Sequence, residues 1–267
     1  MNHPEWAKPT KAVILARGLG TRMRAADDDA SLTPEQAAAA AAGLKTLVPL
    51  ANGKTLLELT VSNLKAAGFT EIILVIGPEH DEIRSRCAEL GLDVRFAVQE
   101  KPLGTADAVL AAEDLIATHE LFAVFNSDNL YPVDALKKLA ESDRPSMLAF
   151  ERQALIEKSN IPEDRIAKFA TVENDEDGNL LAVIEKPEHV KPDALISMNA
   201  WLFSAKIFEA CRSITLSPRG EYEITAAVEY AVNSLGEKIA VLRTQAGVLD
   251  LSSRADIESI EIFLHHF

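Results

Sequence analysis

Residues 11–24 read KAVILARGLGTRMR: a near-continuous apolar run set against a turn with two glycines, where Arg17, Arg22 and Arg24 fall within eight residues. A strand ending in such a turn and leading into a helix makes a ready phosphate site. N–H groups at a helix start lack partners, glycine lets the backbone approach closely, and a guanidinium supplies a planar fork of donors. The competing interpretation is a solvated helix face that happens to be basic. A second candidate is Asp128, which follows the apolar run LFAVFNS. A carboxylate just past the carboxyl end of a buried strand stands where open α/β sheets bind ligands, although an Asx turn with Asn129 would also place one there.

Two common nucleotide motifs do not fit. A dinucleotide fingerprint needs a further glycine three positions after Gly20, where Met23 stands. A P-loop ending in Gly53-Lys54-Thr55 would need its first glycine at Val48, so that stretch is expected to be a plain turn. The six histidines have no ligand-like spacing, and the two cysteines, Cys87 and Cys211, offer neither a disulfide framework nor a metal site.

These groups need elements to hold them. With 267 residues, 48% of them hydrophobic, the chain can bury a large core. Strand-like runs (AVILA, EIILVIG, DVRFAV, LFAVFNSD, SMLAFE) alternate with helix-like ones (LLELTVSNLKAAG, DEIRSRCAELG, TADAVLAAEDLI, VDALKKLAES) through the first half. That βα rhythm implies a doubly wound, Rossmann-like α/β sheet that is mainly parallel, with helices on both faces. After residue 151 the rhythm changes: AKFATVENDEDGNLLAVIEKP reads as a hairpin around Asp177-Gly178, ISMNAWLFS as a further strand, and IFEACRS and EITAAVEYAVNSL as helices. Short strands IAVLRT and GVLDLS and a last helix close the chain, giving one domain over 1–267 with an antiparallel addition.

The segment 25–43, AADDDASLTPEQAAAAAAG, is acidic, then polar, then polyalanine. It is expected to be a loop followed by a short helix, inserted as a mobile segment or lid. The net charge of −14 argues against nucleic acid, whose binding needs a basic face. No stretch suits a membrane span, the first residues are polar, and a cytoplasmic location is expected.

Taken in order, AVILARGLGTRMR, LKTLVPL, QEKPLGTADAV, FNSDNLY, VIEKP, SMNAWLF, RGEYEIT and GVLDLSS resemble the sugar-1-phosphate nucleotidyltransferases. That family includes the glucose-1-phosphate thymidylyl- and uridylyltransferases and the mannose-1-phosphate guanylyltransferases. The resemblance implies a reaction between a nucleoside triphosphate and a sugar 1-phosphate that gives a nucleoside-diphosphate sugar and pyrophosphate with Mg²⁺. It assigns Arg22 and Lys45 to the phosphates as catalytic cations. Leu15, Ala16, Gly18, Gly20, Thr21, Gln99, Pro102, Gly104 and Thr105 fall to the nucleotide. Asn126, Glu185, Lys186, Asn199 and Glu221 fall to the sugar phosphate, and Asp128 and Asp250 to the metal. Without the resemblance, Asp250 reads as a cap on the last helix and Thr105 as an ordinary N-cap.

The match departs from the family's pattern in three places. Arg17 stands where most members carry a small residue, Leu44 where proline is common, and the segment between Arg22 and Lys45 is longer than usual. The chain ends soon after Asp250, which implies a stand-alone catalytic domain, and homo-oligomers are common in the family. The acceptor reading stays open to phosphocholine or a cyclitol phosphate, and a non-catalytic nucleotide-sugar sensor is the third alternative.

Overall fold

The computed structural model describes residues 6–18, 20–25 and 32–264. Strand β1 (Lys11–Leu15) is buried on both faces, as an unbroken apolar run requires. There follow α1 (Thr21–Arg24), α2 (Pro34–Ala42), α3 (Leu56–Ala67), β2 (Glu71–Ile76), α4 (Asp81–Glu89), β3 (Arg95–Val98), α5 (Thr105–Leu110) and β4 (Phe122–Asn126). Next come β5 (Asn129–Leu130), α6 (Val133–Ala140), β6 (Ser146–Glu151), α7 (Arg152–Lys158), α8 (Glu163–Ile166), β7 (Thr171–Asn174) and β8 (Leu180–Ile184). The chain then forms β9 (Leu195–Phe203), α9 (Lys206–Ser213), α10 (Ile224–Asn233), β10 (Ala240–Thr244), β11 (Leu249–Asp250) and α11 (Ala255–Phe263).

The main sheet runs β10-β6-β9-β4-β1-β2-β3. β1 lies parallel to β2 and β4, and β2 parallel to β3, with Leu15 in register with both Val75 and Asn126. β9 enters antiparallel between β4 and β6 and carries the β7–β8 hairpin, so the antiparallel addition expected after residue 151 is built into the sheet. Side chains alternate along each strand: Ala12 and Ile14 join one core with Leu74, Phe125 and Tyr131, while Val13 joins the other with Ile73, Val124 and Trp201.

A third cluster, with Met23, Ala40, Val48, Leu56, Leu249 and Ile257, binds α1, α2 and α11 to the small β5–β11 ribbon. Its presence explains α2, the helical half of the 25–43 segment. Thr33 and Gln36 form a reciprocal capping box, Gly43 ends the helix in the left-handed region, and Gln36 donates from Nε2 to the Pro49 carbonyl at 2.9 Å. The loop half of the lid expectation includes residues 26–31, which lie outside the described residues.

One sequence expectation needs adjustment, and one stretch has no sequence expectation to compare. The α-helix predicted across TADAVLAAEDLI ends at Leu110, and Glu113–Leu115 form a 3₁₀ turn instead. Between residues 152 and 166, which carry no clear strand pattern, lie α7 and α8, separated by Pro162. Among the described residues no helix is long and apolar enough to cross a membrane.

Candidate functional site

A cleft of about 470 Å³ opens at the carboxyl ends of the parallel strands. Its wall takes Leu15, Ala16, Arg17, Gly18 and Thr21 from the turn after β1, Lys45 and Thr46 from the following segment, and His80 from the β2–α4 loop. Gln99, Pro102, Gly104 and Thr105 come from the loop after β3, Asn126 and Asp128 from the end of β4, and Glu221 from the approach to α10. Most of the residues expected to bind ligand thus converge from five separate segments. Gly20, Arg22, Glu185, Lys186, Asn199 and Asp250 are not part of this wall.

The glycine turn differs in detail from the expected phosphate site. Gly20 does take a left-handed conformation (φ 60°), but the helix that it opens is only four residues long. Little helix dipole is available, so donors must come from turn N–H groups and side chains. Arg22 lies exposed on α1 and Arg24 donates from Nη2 to the Ala42 carbonyl at 3.0 Å. Arg17 is the arginine at the cleft: it is 7% exposed, and its Nη2 donates to both Glu79 oxygens at 3.1 Å. Gly53-Lys54-Thr55 is the plain turn expected, for the Lys54 N–H bonds Asn52 Oδ1 at 3.0 Å and Thr55 caps α3.

Opposite the turn, Gln99 is buried and donates from Nε2 to the Gly104 carbonyl at 3.0 Å and to Asp107 Oδ2 at 2.7 Å. Its amide nitrogen is occupied, which leaves the carbonyl Oε1 as the group for a ligand. Gly104 has φ 118°, and a Cβ there would lie 2.5 Å from the Tyr222 carbonyl oxygen. That close approach permits two backbone bonds: Tyr222 N–H to the Leu103 carbonyl at 2.8 Å and Ala106 N–H to the Tyr222 carbonyl at 2.9 Å. Thr105 does not cap its own helix; its Oγ1 accepts from the Ile224 N–H at 2.9 Å, at the start of α10. The Gly104 loop and the segment that carries Glu221 are therefore stitched together along the cleft.

The two aspartates expected to hold metal are brought together by the β5–β11 ribbon. Asn129 pairs with Asp250, and the Leu251 N–H bonds the Asp128 carbonyl at 2.8 Å. Lys45 Nζ meets Asp128 Oδ2 at 3.0 Å, so the side chains expected at the phosphates and at the metal lie side by side. Asp250 is buried: Arg165 Nη1 donates to its Oδ1 at 2.9 Å and Asn129 Nδ2 to its Oδ2 at 3.1 Å. Asn160 brackets its backbone, accepting from the Asp250 N–H at 2.8 Å and donating to the Asp250 carbonyl at 2.9 Å. Burial, followed by the charge of Asp128, pushes the Asp250 carboxyl up to about 6. The same two influences, with that of Asp250 itself, raise the buried Tyr131 phenol.

Asp250 does not cap the last helix. No side chain among the described residues caps that helix; Asp256 in its first turn reaches back instead, its Oδ2 accepting from the Ser252 N–H at 3.1 Å and the Ser253 N–H at 2.7 Å, while Arg165 also grips both Asp256 oxygens. Sequence reasoning missed Arg165 and Asn160. Pro162-Glu163-Asp164 signals a helix start, but nothing in an isolated arginine points 85 residues ahead to Asp250.

Whether a divalent cation suits this place can be judged from the donors. Two carboxylates lie close enough for one charge to raise the other's carboxyl, and a cation relieves that repulsion. Lys45 engages only Oδ2 of Asp128, and a carboxylate oxygen can accept more than one partner. Among the described residues no three His, Cys, Asp or Glu side chains converge. A magnesium held by two carboxylates, phosphate oxygens and water needs no such cage. The residues fit.

Of the sugar-phosphate candidates, Asn126 and Glu221 line the cleft, whereas Glu185, Lys186 and Asn199 lie outside its wall. Among the described non-glycine residues, only Lys186 (φ 46°) and Asn199 (φ 56°) have left-handed backbones, and such strain concentrates where function over-determines the chain. Glu185 and Lys186 follow β8 and are exposed. Their charges are felt at Arg219 and Glu223 respectively, on the segment that carries Glu221. Asn199 lies within β9, and its Oδ1 accepts from Trp201 Nε1 at 3.4 Å. Cys87 and Cys211 are buried, with burial pushing their thiols up to about 11 and about 12.

The family profile described as nucleotidyl transferase matches residues 11–261. The chain belongs to the nucleotidyl transferase family. Within that family it is 34% identical over 227 residues to a glucose-1-phosphate thymidylyltransferase of Streptomyces griseus, covering 84% of this chain and 58% of that protein. It thus spans little more than half the length of that relative. A UTP–glucose-1-phosphate uridylyltransferase, AglF, of Haloferax volcanii is 29% identical over 256 residues, covering 94% of this chain and 95% of that one. Among solved structures, a UDP-glucose pyrophosphorylase complexed with UDP-glucose superposes with a TM-score of 0.72 at 19% identity, covering 97% of this chain and 100% of the other. The inositol-1-phosphate CTP transferase from T. maritima follows with a TM-score of 0.70 at 19% identity, covering 96% and 97%. The fold is that of the nucleotidyl transferases.

Proposed function

We propose that the chain joins a nucleoside triphosphate to a sugar 1-phosphate, releasing pyrophosphate and forming a nucleoside-diphosphate sugar, with Mg²⁺ as cofactor. An oxygen of the sugar phosphate attacks the α-phosphorus while the bond to the bridging oxygen of the leaving pyrophosphate breaks. Bound Mg²⁺ would neutralise charge on the reacting phosphate oxygens. The observation that carries this reading is the Lys45–Asp128 pair at 3.0 Å in the cleft wall, with Asp250 beside it on the paired strand. Lys45 places a cation at the reacting phosphates, the two aspartates would hold the metal, and the Gln99–Gly104 loop orients the nucleotide. Glu221 and Asn126 take the sugar side from the cleft wall, with Glu185 and Lys186 near Glu221's segment and Asn199 as a further candidate. No protein nucleophile is required, because positioning and electrostatic stabilisation do the catalytic work.

A grid of nucleoside triphosphates against sugar 1-phosphates, scored by pyrophosphate release with Mg²⁺, tests the proposal. At least one pair should turn over, and Asp128→Asn should lower kcat by about a thousandfold or more while the protein stays folded. Turnover unchanged in that variant would remove the metal assignment; no turnover with any pair would remove the activity.

A further inference from the structure

The cleft wall presents two side-chain cations, Arg17 and Lys45, and they are held very differently. Lys45 is tied to a carboxylate of the cleft itself, Asp128. Arg17 is tied through Nη2 alone to Glu79, whose side chain is half exposed. The guanidinium is buried, and its Nε and Nη1 have no hydrogen-bond partner among the described residues. Burying guanidinium N–H groups without acceptors is costly, and native proteins rarely tolerate two on one side chain.

The local backbone is shaped for this placement. Gly77, at the end of β2, lies directly under the ion pair: a Cβ there would come within 2.5 Å of Arg17 Nε and would also collide with the Glu79 carboxylate. The Gly77 N–H donates to His80 Nδ1 at 3.2 Å, which fixes the β2–α4 loop beside the pair. Behind it lies a hollow of about 310 Å³ bounded by Arg24, Leu44, Glu79, His80 and Glu82, which shares Leu44 and His80 with the cleft. The Arg17–Glu79 pair therefore stands between the cleft and an open space into which the Glu79 side chain can turn.

We infer that Arg17 is a parked phosphate-binding residue: when the triphosphate enters, its guanidinium leaves Glu79 and donates to the oxygens of the pyrophosphate leaving group. This inference rests on the proposed reaction, in which the triphosphate is the most highly charged partner. A polyphosphate supplies the acceptors that Nε and Nη1 lack, and charge-assisted bonds to it replace those to a solvent-exposed carboxylate. Of the two cations in the wall, Arg17 is the one whose present partner is not needed at the reacting centre.

Calorimetric titration with inorganic tripolyphosphate and Mg²⁺ tests the inference without requiring turnover, with uridine and thymidine monophosphates as controls. Arg17→Ala should weaken tripolyphosphate binding by about tenfold or more, and Glu79→Gln, which frees the guanidinium, should tighten it by about twofold to fivefold. Neither should change monophosphate binding appreciably. Unaltered tripolyphosphate affinity in folded Arg17→Ala overturns the inference, as does an equal loss for tripolyphosphate and monophosphates. Should Arg17→Ala fail to fold, Glu79→Gln decides alone: no tightening overturns it. Absence of turnover in the substrate grid with these binding changes intact would remove only the proposed reaction. Turnover with no binding changes would remove only the role of Arg17.

Discussion

Arg165 is shared by two buried carboxylates that respond to it in opposite senses. Burial and the charge of Asp128 outweigh Arg165 at Asp250 and carry its carboxyl up to about 6. At Asp256 burial pushes upward as well, but the hydrogen bonds and charge of Arg165 prevail, with Ser253 helping, and the carboxyl is lowered. The signs follow by linkage. Stability drawn from Asp256 is present above the ordinary aspartate range and is lost as acid protonates it. For Asp250 the folded form binds its proton more tightly than the unfolded chain, so this contribution is full at low pH and is lost as pH rises from about 4 through about 6. Asp250→Asn should therefore be as stable as wild type at pH 7.5 without metal, or more stable by up to about 2 kcal/mol. It should also flatten that part of the pH–stability curve. With Mg²⁺ added, thermal melting should rise for wild type and not for the variant; a rise in both would take Asp250 out of the proposed metal site. Arg165→Met leaves two buried carboxylates uncompensated and should cost about 3 kcal/mol in urea unfolding. Adding Asp256→Asn should recover part of that loss, which a double-mutant cycle would reveal.

Among the elements, the junction of the Gly104 loop with the Tyr222 segment joins two stretches of the cleft wall. Three bonds cross it: two between backbones and one from the Ile224 N–H to the Thr105 hydroxyl. Gly104→Ala forces a Cβ against the Tyr222 backbone at a φ of 118°. It should destabilise the fold by about 2 to 4 kcal/mol and raise KM for both substrates, measured by urea unfolding and steady-state kinetics. If only one substrate were affected, the two loops would be mechanically independent. The 25–43 segment illustrates the opposite case: alanine propensity was enough to predict α2, to which the structure adds the Thr33–Gln36 capping box. Its docking on Met23, Leu249 and Ile257 was not legible, because a polyalanine stretch carries no amphipathic signature.

For the whole molecule, the doubly wound sheet was readable because β1, β2 and β4 are continuous apolar runs separated by capped helices. The place of β9 was not, since antiparallel entry between β4 and β6 depends on contacts at sequence separations that periodicity does not register. Convergence of Asp128 and Asp250 was equally invisible locally: a two-residue ribbon joins them, and only the resemblance anticipated it. Hydrogen exchange should follow this architecture. Amides of β1, β2, β4 and β9, covered on both faces, should exchange only through global unfolding, whereas the β7–β8 hairpin, with Leu181 exposed at its edge, should open locally and faster. Uniform protection across the sheet would contradict this. The stitch at Tyr222 also bears on how acceptor preference can diversify. Because that residue is held by its main-chain amide and carbonyl, the neighbouring stretch can change its side chains without loosening the grip on the Gly104 loop. On the proposed reaction, with Glu221 on the sugar side, residues 217–221 form a natural cassette, and grafting a relative's stretch into it is the direct test of whether they set which phosphorylated alcohol is accepted.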